Sequence, residues 1–279
     1  MNGSPSTDWK LTTGSSGYGL FLSAKGDEPT PGDNWYYANT SDINLDSWTI
    51  DGTNKQGVKF TEGGDSATFA GGVTMSSNGT FDIGSNQTLT VSNVISGDGS
   101  LTKTGEGTLE LSGDNTFTGG TTISEGTLKL TKADIKGTLA TGSTVTVDGA
   151  TSVLTGHGDI LGYSDQSVGT INLQNGGTLH NDSDNAHITV GAAINMNNGV
   201  ISAEDGWGNG TFGNFVFDNA INVLGGTDNK ITAWKITLRQ YQGTSDQEVG
   251  GKITVAEGAK LTISSQIADH NSAKVVPLV

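Results

Sequence analysis

The sequence has no cysteine, and this absence removes disulfide bonds, thiolate nucleophiles and cysteine-ligated zinc together. Basic residues are also scarce, since Arg239 is the single arginine and the formal net charge is -15. A protein that binds a phosphate backbone needs clustered lysine and arginine to displace counterions. We therefore expect no nucleic-acid partner.

Long apolar runs and helical periodicity are missing as well. No stretch approaches the roughly 20 apolar residues that a membrane-spanning helix requires, so we expect no membrane insertion by this segment. Glycine, asparagine or threonine clusters interrupt every window that begins an apolar repeat of about 3.6 residues. With 43 glycines but only 4 prolines, the chain has the composition of short strands joined by tight turns. These features favour an all-β fold.

Short stretches of alternating apolar and polar residues recur along the whole chain. Typical examples are residues 88–91, 108–111, 127–130 and 170–173, each with one apolar face. Glycines that open such stretches recur at irregular intervals of roughly 20 to 30 residues, a period typical of solenoids. The tight Asn-Gly and Asp-Gly turns of a hairpin sandwich are patchy here. We therefore predict a solenoid whose coils stack about 4.8 Å apart in parallel ladders.

One part of the chain resembles a known repeat. It reads GDGSLTKTGEGTLELSG over residues 97–113, NTFTGGTTI over residues 115–123 and GTLKL over residues 126–130. These segments resemble the passenger-associated, or autotransporter-associated, β-strand repeat of autotransporters. The preceding GDSATF, residues 64–69, resembles segments that often precede this repeat. Elsewhere the solenoid prediction depends on the periodicity alone.

The resemblance implies a right-handed parallel β-helix in the exported passenger domain of a Gram-negative bacterium. It also implies a C-terminal outer-membrane barrel as the anchor, which we expect to lie outside these residues. Within the motif we expect Lys103 to point outward into solvent, because lysine is rarely buried. The residues expected to stack inside are Leu101, Leu109, Leu111, Ile123, Leu128 and Leu130.

The two ends of the chain differ from its middle. Residues 1–55 hold seven bulky aromatic residues and three of the prolines, and we predict an aromatic-rich N-terminal cap with the first coils there. A platform on which sugars stack is the alternative for the same aromatic residues. Residues 56–279 are predicted to be β-helix coils. We expect them to be truncated at the C-terminal end, because VVPLV reads as the start of another strand.

A serine-protease interpretation of Gly64-Asp65-Ser66 is disfavoured. Ala67 stands where the protease motif has glycine. The first histidine, His157, follows the serine, whereas a chymotrypsin-like order has its general base upstream. We therefore expect no catalytic residue at this place.

An acidic cluster with one tryptophan is the best candidate for a binding site. Asp182 and Glu204 are about one coil apart, so they are expected to stack on the same turn. Paired carboxylates beside an aromatic ring suit a glycan site, and the same oxygens suit a weak calcium site. Solvated turn residues are the simpler interpretation. We expect no cofactor and no firm metal site, and the cluster consists of Asp182, Asp184, Glu204, Asp205 and Trp207.

The sequence therefore predicts a non-enzymatic protein of the bacterial cell surface that acts as an adhesin or a self-associating stalk. The alternative is a β-helix enzyme that binds or cleaves a polysaccharide. Outward asparagines at Asn195, Asn197 and Asn198 are predicted to form a ladder through which two copies associate. A host glycan or a protein receptor is the other expected partner.

Overall fold

The computed structural model describes residues 18–23, 35–38, 47–50, 55–62, 66–132, 137–162, 166–183, 185–204, 213–241, 249–269 and 272–275. No helix in these ranges is long and apolar enough to cross a membrane. The described strands, in chain order, are β1 Tyr18–Ser23, β2 Trp35–Ala38, β3 Ser47–Ile50, β4 Lys55–Glu62, β5 Ser66–Phe69, β6 Gly72–Met75, β7 Gly79–Ile83, β8 Thr88–Val91, β9 Ile95–Gly97, β10 Leu101–Thr104, β11 Thr108–Leu111, β12 Thr121–Ile123, β13 Gly126–Leu130, β14 Thr144–Asp148, β15 Ser152–Gly156, β16 Thr170–Gln174, β17 Thr178–Asn181, β18 Ile188–Val190, β19 Ala193–Asn197, β20 Val200–Ala203, β21 Phe215–Phe217, β22 Ile221–Gly225, β23 Asn229–Ile231, β24 Lys235–Leu238, β25 Gln240–Tyr241, β26 Val249–Gly250, β27 Ile253–Val255, β28 Leu261–Ile263, β29 Gln266–Asp269 and β30 Ser272–Val275.

The strands stack into long sheets that run along a solenoid. Sheet A has eleven strands in the order β2-β1-β4-β7-β10-β12-β14-β16-β19-β22-β27, and sheet B has nine, from β5 through β8, β11, β13, β15, β17, β20 and β23 to β28. The third side carries sheet C (β3-β6-β9) near one end and sheet D (β18-β21-β24-β29-β30) near the other. From β4 onward each coil contributes a strand to sheet A and then a strand to sheet B, and the chain then passes along the third side before the next coil begins.

Parallel pairing joins nearly every neighbouring strand, and it confirms the predicted parallel β-helix. In the described residues the two antiparallel pairs are β25 with β26 and β29 with β30. The coil-to-coil register is regular: Leu109 of β11 is paired with Leu89 of β8 on one side and with Leu128 of β13 on the other. Each coil therefore repeats the inward and outward positions of the coil before it.

The core is a set of side-chain columns that run along the axis. One column passes through seven consecutive strands of sheet B, and every member is fully buried. All six apolar residues of the repeat that were expected to stack inside are buried, which confirms the register predicted for them. The column in sheet B consists of Leu89, Leu109, Leu128, Leu154, Leu179, Ile201 and Ile231.

A glycine is required at the corner between β12 and β13. Gly126 has a φ of 68°, and a Cβ atom placed on it would lie 2.3 Å from the carbonyl oxygen of Gly105 in the neighbouring coil. A side chain at this corner would force the two coils apart. The glycine-rich corners thus permit the close stacking on which the ladders depend.

The prediction that Lys103 points into solvent was wrong. Lys103 is 0% exposed and lies on the inward face of β10, in step with Leu101. Its ammonium group donates to the carbonyl oxygens of Thr104 at 2.8 Å, Gly105 at 2.6 Å and Glu125 at 3.2 Å. These three acceptors match the three donors of an ammonium group, so the charge is buried with partners. The bond to Glu125 also ties this corner to the next coil.

The predicted N-terminal cap lies largely outside the described residues. Within residues 1–55 the structure describes β1, β2 and β3 and the first residue of β4. β1 and β2 extend sheet A by parallel pairing, while β3 pairs with β6. The cap and the division at residue 56 stay predictions.

The buried ammonium group of Lys103 should make the free energy of unfolding change with pH in the alkaline range. Burial lowers the pKa of Lys103 to about 8 from its usual 10.5, although Asp82 and Glu125 favour the charged form. Between these values the unfolded chain holds the proton more tightly, so the free energy of unfolding should rise as pH increases from about 8 to 10.5. The gain relative to Lys103→Met is expected to be on the order of 3 kcal/mol.

Urea unfolding of the wild type and of Lys103→Met across this pH range measures the effect. Lys230→Met serves as the control, because Lys230 lies on the outer side of sheet B and is 44% exposed. If the free energies of unfolding of the wild type and of Lys103→Met changed in parallel with pH, the lowered pKa of Lys103 would be contradicted.

Candidate functional site

The structure brings two members of the predicted acidic cluster together. Asn181 at the end of β17 pairs with Ala203 at the end of β20, so Asp182 and Glu204 follow at matching positions of neighbouring coils. The backbone N–H of Glu204 donates to the carbonyl of Asn181 at 3.0 Å, which holds this alignment beyond the strands. Asp184, Asp205 and Trp207 lie outside the described residues.

Side chains from four consecutive coils surround these carboxylates on the outer face of sheet B. The strand register aligns one outward residue each from β13, β15, β17 and β20, and three further residues follow β15, β17 and β20 directly. We call this surface the sheet B patch, and it consists of Lys129, Thr155, His157, His180, Asp182, Ser202 and Glu204.

Asp182 is the most connected residue of the sheet B patch. Its Oδ1 lies 2.7 Å from Nδ1 of His157, and its Oδ2 lies 3.1 Å from Nζ of Lys129. Burial by itself raises the pKa of Asp182, but the hydrogen bonds and charges of His157 and Lys129 outweigh this and leave the pKa below its ordinary value. Because β15 lies between β13 and β17, the Lys129 contact spans a whole coil.

His180 links a serine and a second carboxylate. Its Nδ1 lies 3.0 Å from Oγ of Ser202, and its Nε2 lies 3.3 Å from Oε1 of Glu204. With the ring hydrogen assigned to Nε2, the imidazole donates to Glu204 and accepts the hydroxyl hydrogen of Ser202. The three side chains thus form a hydrogen-bonded chain across two neighbouring coils.

Thr155 is the least expected member of the patch. It lies between Lys129 and His180 in register, yet it is only 7% exposed although it faces outward. Its Oγ1 has no hydrogen-bond partner within the described part of the chain. A buried hydroxyl in this state is uncommon in native structures.

A weak calcium site at the acidic cluster stays an alternative interpretation of the sequence. Within the described ranges no group of three or more histidine, aspartate or glutamate side chains is placed to hold a metal ion. His187 is not a member of the patch, although its backbone carbonyl accepts the N–H of Gly158, the residue after His157, at 2.7 Å. Burial is the main cause that lowers the pKa of the His187 imidazole, and Arg239 lowers it further. The carboxylates of Asp159 and Asp218 act in the opposite direction.

Of the three asparagines of the predicted ladder, Asn195 takes part in a row of side-chain hydrogen bonds between neighbouring coils. Asn195 donates its amide to Oδ1 of Asn172 at 3.0 Å, and Asn222 donates in the same sense to Oδ1 of Asn195 at 3.2 Å. The ladder thus crosses coils along the axis of sheet A. Asn197 is exposed two residues further along β19. Asn198 lies in the turn with a φ of 58° and accepts the N–H of Asp228.

The position of the buried leucine column also locates the outward residues of the patch that the sequence alone does not predict. The residue after each buried member of that column points outward, which gives Lys129, Thr155, His180 and Ser202 in four consecutive strands. Only this register shows that residues far apart in sequence form one surface.

A comparison with known families identifies one segment of the chain. Residues 101–130 match the model of the passenger-associated-transport-repeat. The matched segment runs from the start of β10 to the end of β13 and includes Lys103. It confirms the resemblance drawn from the sequence over these residues. No curated protein and no solved structure matches the chain.

The contacts of Asp182 make a prediction for acid stability. A carboxylate with a lowered pKa stabilises the folded state above its unfolded value of 3.8, and this contribution is lost as pH falls through the lower folded value. Asp182→Asn should therefore cost about 1 kcal/mol of unfolding free energy at neutral pH, and the difference from the wild type should vanish in strong acid.

Denaturant unfolding at neutral and at acid pH measures this difference. The matched control is Asp228→Asn, whose side chain is 69% exposed and contacts Lys230. If both substitutions changed the free energy of unfolding at neutral pH by the same small amount, the contacts of Asp182 with His157 and Lys129 would add nothing to stability.

Proposed function

We propose, with the passenger-associated-transport-repeat of residues 101–130 as the premise, that this chain belongs to the passenger of an autotransporter on the surface of a Gram-negative bacterium. There it acts as a non-enzymatic adhesin or self-associating stalk. The supporting observation is that the repeat is continuous with the stack. β10 and β11 pair with β7 and β8 on one side and with β12 and β13 on the other. The repeat is thus part of a rod that displays long polar faces.

The outer face of sheet A supports self-association. One outward column passes unbroken through eight strands and contains only threonine and asparagine, so it presents the same polar chemistry at each coil. Each asparagine amide has a second N–H and a second lone pair beyond those used along the ladder. Weak contacts repeated over many coils add up to measurable association. We call this column the sheet A column, and it consists of Thr80, Thr102, Thr122, Thr146, Asn172, Asn195, Asn222 and Thr254.

The geometry of the sheet B patch supports a non-enzymatic role. Both carboxylate oxygens of Asp182 are engaged by His157 and Lys129, which leaves neither in place to activate water. Glu204 is 60% exposed, so it does not lie in the apolar, water-excluded surroundings typical of a general acid. The alternative function is cleavage of a polysaccharide by this carboxylate pair.

Self-association through the sheet A column predicts a salt-dependent equilibrium. The net charge of -15 makes two rods repel each other, so association should strengthen as salt screens that repulsion. The double variant Asn195→Lys/Asn197→Lys should abolish association, because it places two charges on the outer face of β19. Sedimentation velocity at low and moderate salt measures both effects.

The control for this experiment adds the same charge on another face. Thr88→Lys/Thr90→Lys changes two outward residues of β8 in sheet B, and it should associate at least as well as the wild type because its net charge is less negative. A wild type that stays monomeric in both salts would contradict self-association, and equal loss in both variants would exclude sheet A as the contact.

The non-enzymatic role has its own test. Incubation with neutral and acidic polysaccharides should release no reducing ends, and Glu204→Gln should behave like the wild type. Release of reducing ends that Glu204→Gln abolishes would replace the adhesin proposal with the polysaccharide-cleaving alternative.

A further inference from the structure

We infer that the sheet B patch is a binding subsite for a neutral glycan and that the hydroxyl of Thr155 is its central contact. The inference rests on the proposed adhesive function and names a ligand class for it. It follows from an unpartnered buried hydroxyl, from the hydrogen-bonding groups around it and from the charge of the rod.

Thr155 carries a polar group that the described protein does not satisfy. The residue is 7% exposed, and its Oγ1 has no partner in the described ranges, although the register places it between the polar side chains of Lys129 and His180. Buried polar groups in native proteins are paired with the protein, with ordered water or with a ligand. A ligand hydroxyl that enters the patch would supply the missing partner.

The surroundings of Thr155 offer both donors and acceptors that remain free. Lys129 uses one of its three N–H groups on Asp182, and His157, which is 54% exposed, keeps its second ring nitrogen available. Glu204 keeps a second carboxylate oxygen. A sugar ring presents adjacent hydroxyls that each donate and accept, so its groups match this mixture. A purely anionic ligand would use only the donors of the patch, and a cation only its acceptors.

Access to Thr155 depends on Lys129. To reach Asp182 on the second coil along, the Lys129 side chain must extend past Thr155, and it is 37% exposed there. A lysine side chain is flexible, so its ammonium group can swing away from Asp182 at modest cost. That movement would open the surface beside Thr155 to a ligand.

Electrostatics favour a neutral glycan over an acidic one. The chain carries a net charge of -15, and the patch itself contributes the carboxylates of Asp182 and Glu204. Lys129 is the one lysine of the patch, and Asp182 already neutralises it. Uronic or sialic acid residues would therefore be repelled both at long range and in contact.

The experiment follows the histidine ring protons by NMR in the full chain. The titrants are neutral oligosaccharides of mannose, galactose, glucose and N-acetylglucosamine, with polygalacturonate as the acidic comparison. We expect at least one neutral oligosaccharide to shift the His157 and His180 resonances. Polygalacturonate should shift none of them.

Two threonine variants separate binding from structure. Thr155→Val keeps the shape of the side chain and removes the unpartnered hydroxyl, so the melting temperature should stay equal or rise while glycan affinity falls about tenfold. Thr90→Val is the matched control, because Thr90 lies in the same outward column three strands from Thr155, and it should bind like the wild type.

The inference is overturned if no neutral oligosaccharide moves the His157 and His180 resonances, or if Thr155→Val binds as tightly as the wild type. Cells that display the chain separate this failure from failure of the proposed function. If cells that display the wild type adhere or aggregate without binding glycan, the glycan site is wrong but the adhesive function stands. If they neither adhere nor aggregate, the adhesive function itself is wrong.

Discussion

In-register parallel pairing of successive coils is the constraint on which the rest of this structure depends. The pairing of Leu109 with Leu89 and with Leu128 aligns one interior column, and the alternation of a β-strand then fixes every outward position. A shift of one residue would exchange the two faces and move the leucines into solvent. The sheet A column and the sheet B patch exist because that shift is excluded.

The sequence predicts the fold well because its two determinants are local. Alternating apolar residues and corner glycines are visible in any short window, and they specify strands and turns at a solenoid period. Lys103 was misplaced for a related reason. Alternation with Leu101 places Lys103 on the inward face, whereas the general surface preference of lysine predicts an exposed side chain, and the alternation prevails. The three corner carbonyls that make its burial tolerable come from two coils, and a linear pattern does not show them.

The site was predictable only in part because contacts across coils depend on the exact length of each coil. The spacing of Asp182 and Glu204 indicated neighbouring coils, and the structure places them so. The histidines that contact these carboxylates, and the lysine two coils away, required the register of four strands. Coil lengths vary along this chain, so the same sequence spacing does not always mean the same face. The asparagine ladder illustrates this, since Asn195 lies 23 residues after Asn172 but 27 residues before Asn222.

The contact between Lys129 and Asp182 has a mechanical consequence for the rod. In a solenoid where each coil contacts only its two neighbours, a pulling force can peel the coils away one at a time. Here the ion pair joins β13 to the residue after β17 and passes over β15, while His157 after β15 holds the same carboxylate. Removing any one of these coils disturbs the contacts of the other two. This stretch should therefore resist the loss of a single coil slightly more than a stretch joined by neighbour contacts alone.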